Sequence, residues 1–105
     1  MSGVVVVASF KLKPGRQEEG VELLRGVIEA THGELGCRLY ALHQSLDDPT
    51  RLAIVERWDS REDLDAHFGQ PHMAAIADAA DLLEEPPQVW FTQPIPIGDP
   101  AKGAL

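Results

Sequence analysis

Apolar and polar positions alternate from Val4 onward. In VVVVASFKLK, Val4, Val6, Ala8, Phe10 and Leu12 fall on one face, and Val5, Val7, Ser9, Lys11 and Lys13 on the other. Both faces begin apolar, and the run of β-branched valines predicts a strand covered on two sides. Lys13-Pro14-Gly15 ends it. The period then changes: Val21, Leu24, Ile28 and Thr31 share one helical face, flanked by Leu23 and Val27. Gly33 and Gly36 close this helix and release a second strand, CRLYALHQS. Asp48 and Pro49 suit the first two positions of a turn. A third strand, RLAIVERW, follows with Leu52, Ile54, Glu56 and Trp58 on one face.

Ser60 and Asp63 resemble a capping box with aspartate in place of glutamate, opening a short helix that ends at Gly69. Pro71 can start another helix at its first position, carrying Met73, Ile76, Ala77 and Ala80 inward. PPQVWFTQPIPIG reads as a last strand, and Pro94 and Pro96 demote its end to an edge or an arm over about 94–105. The order is β-α-β-β-α-β. Two β-α-β halves joined by a hairpin predict a ferredoxin-like α+β fold, an antiparallel sheet with helices on one face. The opposite sheet face carries Val5, Val7, Ala53, Val55, Leu42 and Leu46 and needs cover too. A second copy packed sheet to sheet would supply it, which predicts a homodimer.

The length of 105 residues fits one domain over residues 1–105. The single cysteine, Cys37, excludes an internal disulfide and any zinc site built from several thiolates. By default it is a small buried hydrophobe. A net charge of −8 argues against nucleic acid and against anionic membrane surfaces as partners. The opening MSGVVVVASFKLK has no basic leader region, and its apolar run is far below the roughly 20 residues a bilayer span needs. The expected location is therefore the cytoplasm.

Candidate chemistry gathers in ERWDSREDLDAHFGQPHM, residues 56–73. His67 follows Leu64 by three residues and so points with it toward the sheet. Glu56 shares a strand face with Ile54 and Trp58, and a buried carboxylate normally has a partner. If that face meets the helices, Glu56 and His67 form a pair inside an aromatic wall. His67 and His72 stand five apart across Gly69 and Pro71, unlike the i, i+4 pair of a helical metal site, so no metal is expected. His72 near a helix start, and Trp58, Trp90, Phe91 and Tyr40, are by default capping or packing residues. No glycine-rich phosphate loop supports a nucleotide cofactor.

The pattern E-x-W-x-S, then A-H, then P-H-M, together with VVVVASFKLKPG and GCRLYAL, resembles the antibiotic biosynthesis monooxygenase superfamily, in particular its small quinol-monooxygenase-like members. The resemblance runs over nearly the whole chain. It implies a dimeric α+β barrel that oxygenates a quinol or polyphenol without flavin, haem or metal. Haem-degrading relatives carry an axial histidine where this chain has Ala77, and a tryptophan near the position of His67, so the resemblance does not extend to haem. Isomerases acting on phosphorylated signalling sugars share the fold and the H-x-x-x-P-H element, and they stand as an alternative.

Dioxygen reacts slowly with ordinary organic molecules, so without a cofactor the substrate itself must supply electrons. Deprotonating a quinol makes it electron-rich enough. A phenol titrates near ~10 and an ordinary imidazole near ~6.5, a gap of about 5 kcal/mol that donors at the phenolate oxygen must offset. On this reading His67 is the base and Glu56 orients it or stabilises its cation. Trp58 and Phe68 wall the pocket, and Tyr40 or His72 donates to the substrate oxygen. The isomerase reading needs cations for a phosphate, for which Arg38, Arg51 and Arg57 are available. A third reading is a non-catalytic dimeric module that binds a small aromatic ligand.

Overall fold

The computed structural model describes residues 3–105; Met1 and Ser2 of the expected domain lie outside the described residues. Four strands form an antiparallel sheet: β1 (Val4–Lys11), β2 (Cys37–Gln44), β3 (Arg51–Trp58) and β4 (Gln88–Thr92), in the order β2-β3-β1-β4. With α1 (Gln17–His32) between β1 and β2, and a helical segment between β3 and β4, this is the ferredoxin-like arrangement expected from the pattern.

Register follows from the alternation. β1 pairs with β3 so that Val6 meets Glu56, Ala8 meets Ile54 and Phe10 meets Leu52. β2 adds Tyr40 opposite Glu56 and Leu42 opposite Ile54. These residues share the helix-covered face. Leu42 therefore belongs with the core, against which it packs, and not with the opposite face where the sequence pattern had put it. Leu46 is fully exposed in the β2–β3 turn. Val5, Val7, Ala53 and Val55 do occupy the opposite face, joined there by Trp90 of β4, whose register partner is Val7.

The second helical segment is broken. α2 (Arg61–Phe68) is capped at Ser60, whose hydroxyl accepts from Asp63 N at 3.1 Å, and it stops at Gly69. A one-turn 3₁₀ element (Pro71–Met73), α3 (Ala74–Asp78) and a second 3₁₀ turn (Ala79–Leu82) follow. The single helix expected from Pro71 is thus three short pieces, and Ala77 and Ala80 are exposed. Alanine gains little from burial, so these positions do not hold a helix against the sheet. Leu82 does, buried beside Leu12, while Lys13 N donates to Leu82 O and Glu84 N to Lys11 O.

No helix among the described residues is long and apolar enough to cross a membrane.

Candidate active site

Between the sheet and the helices lies a cavity of about 170 Å³. Its wall is mostly apolar, with Val6, Ala8, Phe10, Leu24, Ile54 and Ile76 among its residues. The polar side chains reaching it are Tyr40, Glu56 and His67, and among the described residues no lysine or arginine lines it. Such a space suits a small, largely apolar molecule that carries a polar group.

Three stretches of chain build the polar end. β3 contributes Glu56, buried because its strand face meets the helices. α2 contributes His67, which is 1% exposed and shares a helix face with the fully buried Leu64. The ring of His67 lies 4.8 Å from Trp58, 5.4 Å from Phe68 and 5.5 Å from Tyr40, measured between centroids. The third stretch was not anticipated. After α1 ends at Gly33, the turn Glu34-Leu35-Gly36 places Glu34 against α2, with Oε2 2.8 Å from His67 Nδ1. Gly36 makes that turn possible: its φ of 82° is in the left-handed region, and a Cβ there would run into the side chain of Asp63. Its carbonyl accepts from Asp59 N at 2.9 Å, tying the turn to the end of β3.

The expected pairing of Glu56 with His67 is therefore replaced by two separate pairs. Glu34 bonds His67, and Glu56 Oε1 accepts from Trp58 Nε1 at 2.9 Å. Burial raises the Glu56 carboxyl to about 7, against the lowering effect of the Trp58 hydrogen bond and with Glu34 adding to the rise. Near neutrality Glu56 is partly protonated, and so it can donate a hydrogen bond. Burial, followed by Glu56 and Glu34, likewise holds the Tyr40 hydroxyl well above its ordinary value, keeping it a donor.

His72 takes a different place from the one expected. Gly69 stops α2, Gln70 is extended, and Pro71 starts the 3₁₀ turn that swings His72 back. Its Nε2 reaches the same Glu34 Oε2 at 2.8 Å. The five-residue spacing that argued against convergence assumed a continuous helix; the break brings both imidazoles to one carboxylate. Glu34, His67 and His72 now present donor atoms all within 4.8 Å of one another, a set that suits a metal ion as well as a hydrogen-bonded cluster. Among the described residues the cavity lining includes neither His72 nor Trp58. Trp58, 0% exposed, backs His67 instead of walling the cavity, while Tyr40 and Phe68 do line it.

The hydrogen bonds also assign the tautomers. Thr31 Oγ1 donates to Val27 O at 2.7 Å, so toward His72 Nε2 at 3.3 Å it can only accept. A Glu34 carboxylate can only accept as well. With both rings neutral, His72 carries its proton on Nε2 and His67 on Nδ1. That leaves Nε2 of His67 as the free lone pair on a ring that lines the cavity.

The arginines required by a phosphate do not converge here. Arg38 holds Asp59 through two 2.7 Å bonds, and Arg51 reaches Glu85 at 3.1 Å. Arg57 lies on the opposite sheet face, across from Val5.

Residues 3–79 match the family model described as antibiotic biosynthesis monooxygenase, a span that holds β1 to β3 and all three members of the Glu34 cluster. The chain belongs to the antibiotic biosynthesis monooxygenase family. A Mycobacterium tuberculosis family relative, "Putative monooxygenase Rv0793", is 37% identical over 95 residues, covering 90% of this chain and 93% of that protein. Its solved structure superposes with a TM-score of 0.85 at 35% identity, over 93% of this chain and 100% of that one. The "Probable quinol monooxygenase YgiN" of Escherichia coli is 29% identical, over 77% of this chain and 89% of that protein. A protein of Synechocystis with no assigned activity, sll1783, is 30% identical over 82% of this chain, which spans 59% of that longer protein.

Proposed function

We propose that this chain is a cofactor-independent monooxygenase that oxidises a small quinol or a polyphenolic, polyketide-type aromatic substrate with O₂. The observation that carries the reading is the cavity: mostly apolar, lined among the described residues by no lysine or arginine, with His67, Glu56 and Tyr40 as its polar groups. Among the described residues a phosphorylated sugar would find no lysine or arginine there, which favours the quinol over the isomerase alternative.

In this mechanism Nε2 of His67 takes the proton of a substrate hydroxyl. Glu34 holds the ring by its Nδ1–H and stabilises the imidazolium that forms, the part the sequence pattern had given to Glu56. Protonated Glu56 and Tyr40 donate to the developing phenolate, lowering the cost of an otherwise uphill transfer. The electron-rich anion passes an electron to O₂, and recombination of the two radicals forms the carbon–oxygen bond. One oxygen atom stays on the substrate and the other leaves as water, with the substrate supplying the electrons. Phe68 walls the aromatic ring, Trp58 fixes the tilt of His67, and His72 holds Glu34 in place.

The family assignment and the name of YgiN support the same chemistry. We also propose that the chain acts in the cytoplasm as a homodimer, with the face bearing Val7 and Trp90 buried against its copy; these are 41% and 68% exposed in the single chain. Light scattering is expected to give twice the chain mass at micromolar concentration.

The deciding experiment is oxygen uptake with a panel of hydroquinones. Uptake coupled to product, in chelator-treated protein without added flavin or haem, is expected. Turnover that proceeds equally without oxygen would favour isomerisation. Tight binding of an aromatic with no turnover would point to a ligand-binding module.

A further inference from the structure

The Glu34 cluster does more than orient one base. We propose that Glu34, His67 and His72 form a binding site for a divalent first-row transition cation, zinc above all, and that filling this site and using His67 as a base exclude each other. The second half of the proposal rests on the monooxygenase reading above; the first half stands without it.

The donor set is two imidazoles and one carboxylate, delivered by the α1–β2 turn, the last turn of α2 and the 3₁₀ turn after it. Three protein ligands of this kind, with a remaining position open, are a common catalytic zinc set. Both imidazole nitrogens already lie 2.8 Å from a single oxygen, Glu34 Oε2. Zinc–nitrogen bonds of about 2.0–2.1 Å at tetrahedral angles set two ligand nitrogens roughly 3.4 Å apart. The structure has all three donor atoms within 4.8 Å, so the widest pair has to close by at most roughly 1.4 Å. His72 can supply it: its side chain is 20% exposed on a one-turn element, whereas Glu34 and His67 are 9% and 1% exposed. The exposed edge of His72 also gives a cation its way in from solvent. Thr31 Oγ1, 3.3 Å from His72 Nε2, stands beside the cluster as a further neutral oxygen.

Exclusion follows from the tautomers. In the hydrogen-bonded cluster His67 carries its proton on Nδ1 and His72 on Nε2, the nitrogens a metal would need. Coordination requires each proton to move to the other nitrogen of its ring. His67 then presents Nε2–H to the cavity. The ring that accepted a substrate proton becomes a donor, with no change in the number of protons bound. A cation here would silence the base.

The test is a titration of the chelator-treated full chain with Co²⁺, followed by visible d–d absorption, with Zn²⁺ as competitor. A saturable band at one Co²⁺ per chain, displaced by Zn²⁺, is expected. His72→Gln and Glu34→Gln, each checked for folding by circular dichroism, should weaken binding about tenfold or more, while His43→Gln, exposed and away from the cluster, should leave it unchanged. In the oxygen-uptake assay, stoichiometric Zn²⁺ should abolish quinol turnover and EDTA should restore it. No saturable band, or a band indifferent to both variants, overturns the site. Metal bound with turnover intact overturns the exclusion. A chain that oxidises no quinol defeats the monooxygenase reading, and the titration still decides whether the site exists.

Discussion

The two β-α-β halves use their helical segments differently. In the first half α1 runs unbroken for 16 residues and buries Leu24, Val27 and Thr31. In the second half the chain from Arg61 to Leu82 divides into four pieces. Its principal buried side chains are Leu64, His67 and Leu82. The regular helix supplies packing along its length, and chemistry only where it stops, at Glu34. The broken segment supplies chemistry on both sides of its first break: His67 in the last turn before Gly69, and His72 just after Pro71. An unbroken helix could not have turned both imidazoles onto one carboxylate, because residues five apart do not share a helical face. Irregularity here aims side chains.

Exchanging the roles of the two halves by mutation is the sharpest way to break this contrast. His67→Gln, in the broken half, is expected to lower quinol turnover by ~10²–10⁴-fold while the chain still folds, since general-base catalysis is typically of that size. Wild-type turnover in this variant, measured as oxygen uptake per folded molecule, would make His67 a packing residue and return the broken half to a structural role.

Glu56 sharpens the comparison through pH. Its carboxyl is raised from an ordinary 4.5 to about 7 in the folded chain. Between those values the folded state holds a proton that the unfolded state has lost, so stability falls as pH rises from about 4.5 to about 7. The full shift corresponds to at most about 3 kcal/mol. Glu56→Gln should flatten this dependence, seen as denaturant midpoints for variant and wild type that converge at pH 5 and separate at pH 8. Parallel pH profiles would show that Glu56 is solvated.

Val27→Ala addresses the regular half. Val27 is 2% exposed and, among the described residues, outside the cavity lining. Its truncation should cost roughly 2 kcal/mol in urea unfolding with turnover per folded molecule unchanged. A large loss of rate at full folding would mean that α1 packing transmits to Glu34. The smallest effect is expected at Ser60→Ala, which removes the α2 cap at a cost of about 1 kcal/mol. If α2 positions His67 as described, its rate loss should be slight compared with that of His67→Gln.

What could be read from the residues differs between the halves for the same reason. β3 was legible from Arg51 to Trp58 because alternation along RLAIVERW is a local signal, and α1 because its apolar stripe is long. The segment after Pro71 was misread as one helix because Met73, Ile76, Ala77 and Ala80 keep a helical period. Periodicity does not say whether small side chains gain enough by burial to hold a face. Of the candidates taken from the sequence, Glu56, Tyr40, Phe68 and His67 line the cavity, and Trp58 and His72 do not. Glu34 was missed because its partners lie 33 and 38 residues away. The local signal was faint: a carboxylate between Gly33 and Gly36, in the turn that closes a helix.

The pairing of β1 with β4 joins Val5 to Thr92 and Ser9 to Gln88. Val89, part of the cavity wall, therefore reaches its place only after almost the entire described chain has left the ribosome. Until then one edge of β1 stays open and the cavity lacks a side, so the nascent protein exposes both a strand edge and the apolar groups meant to face substrate. Contacts this distant in sequence close late and slowly. The short strand Gln88–Thr92 thus closes at once the free edge of β1 and the last side of the cavity.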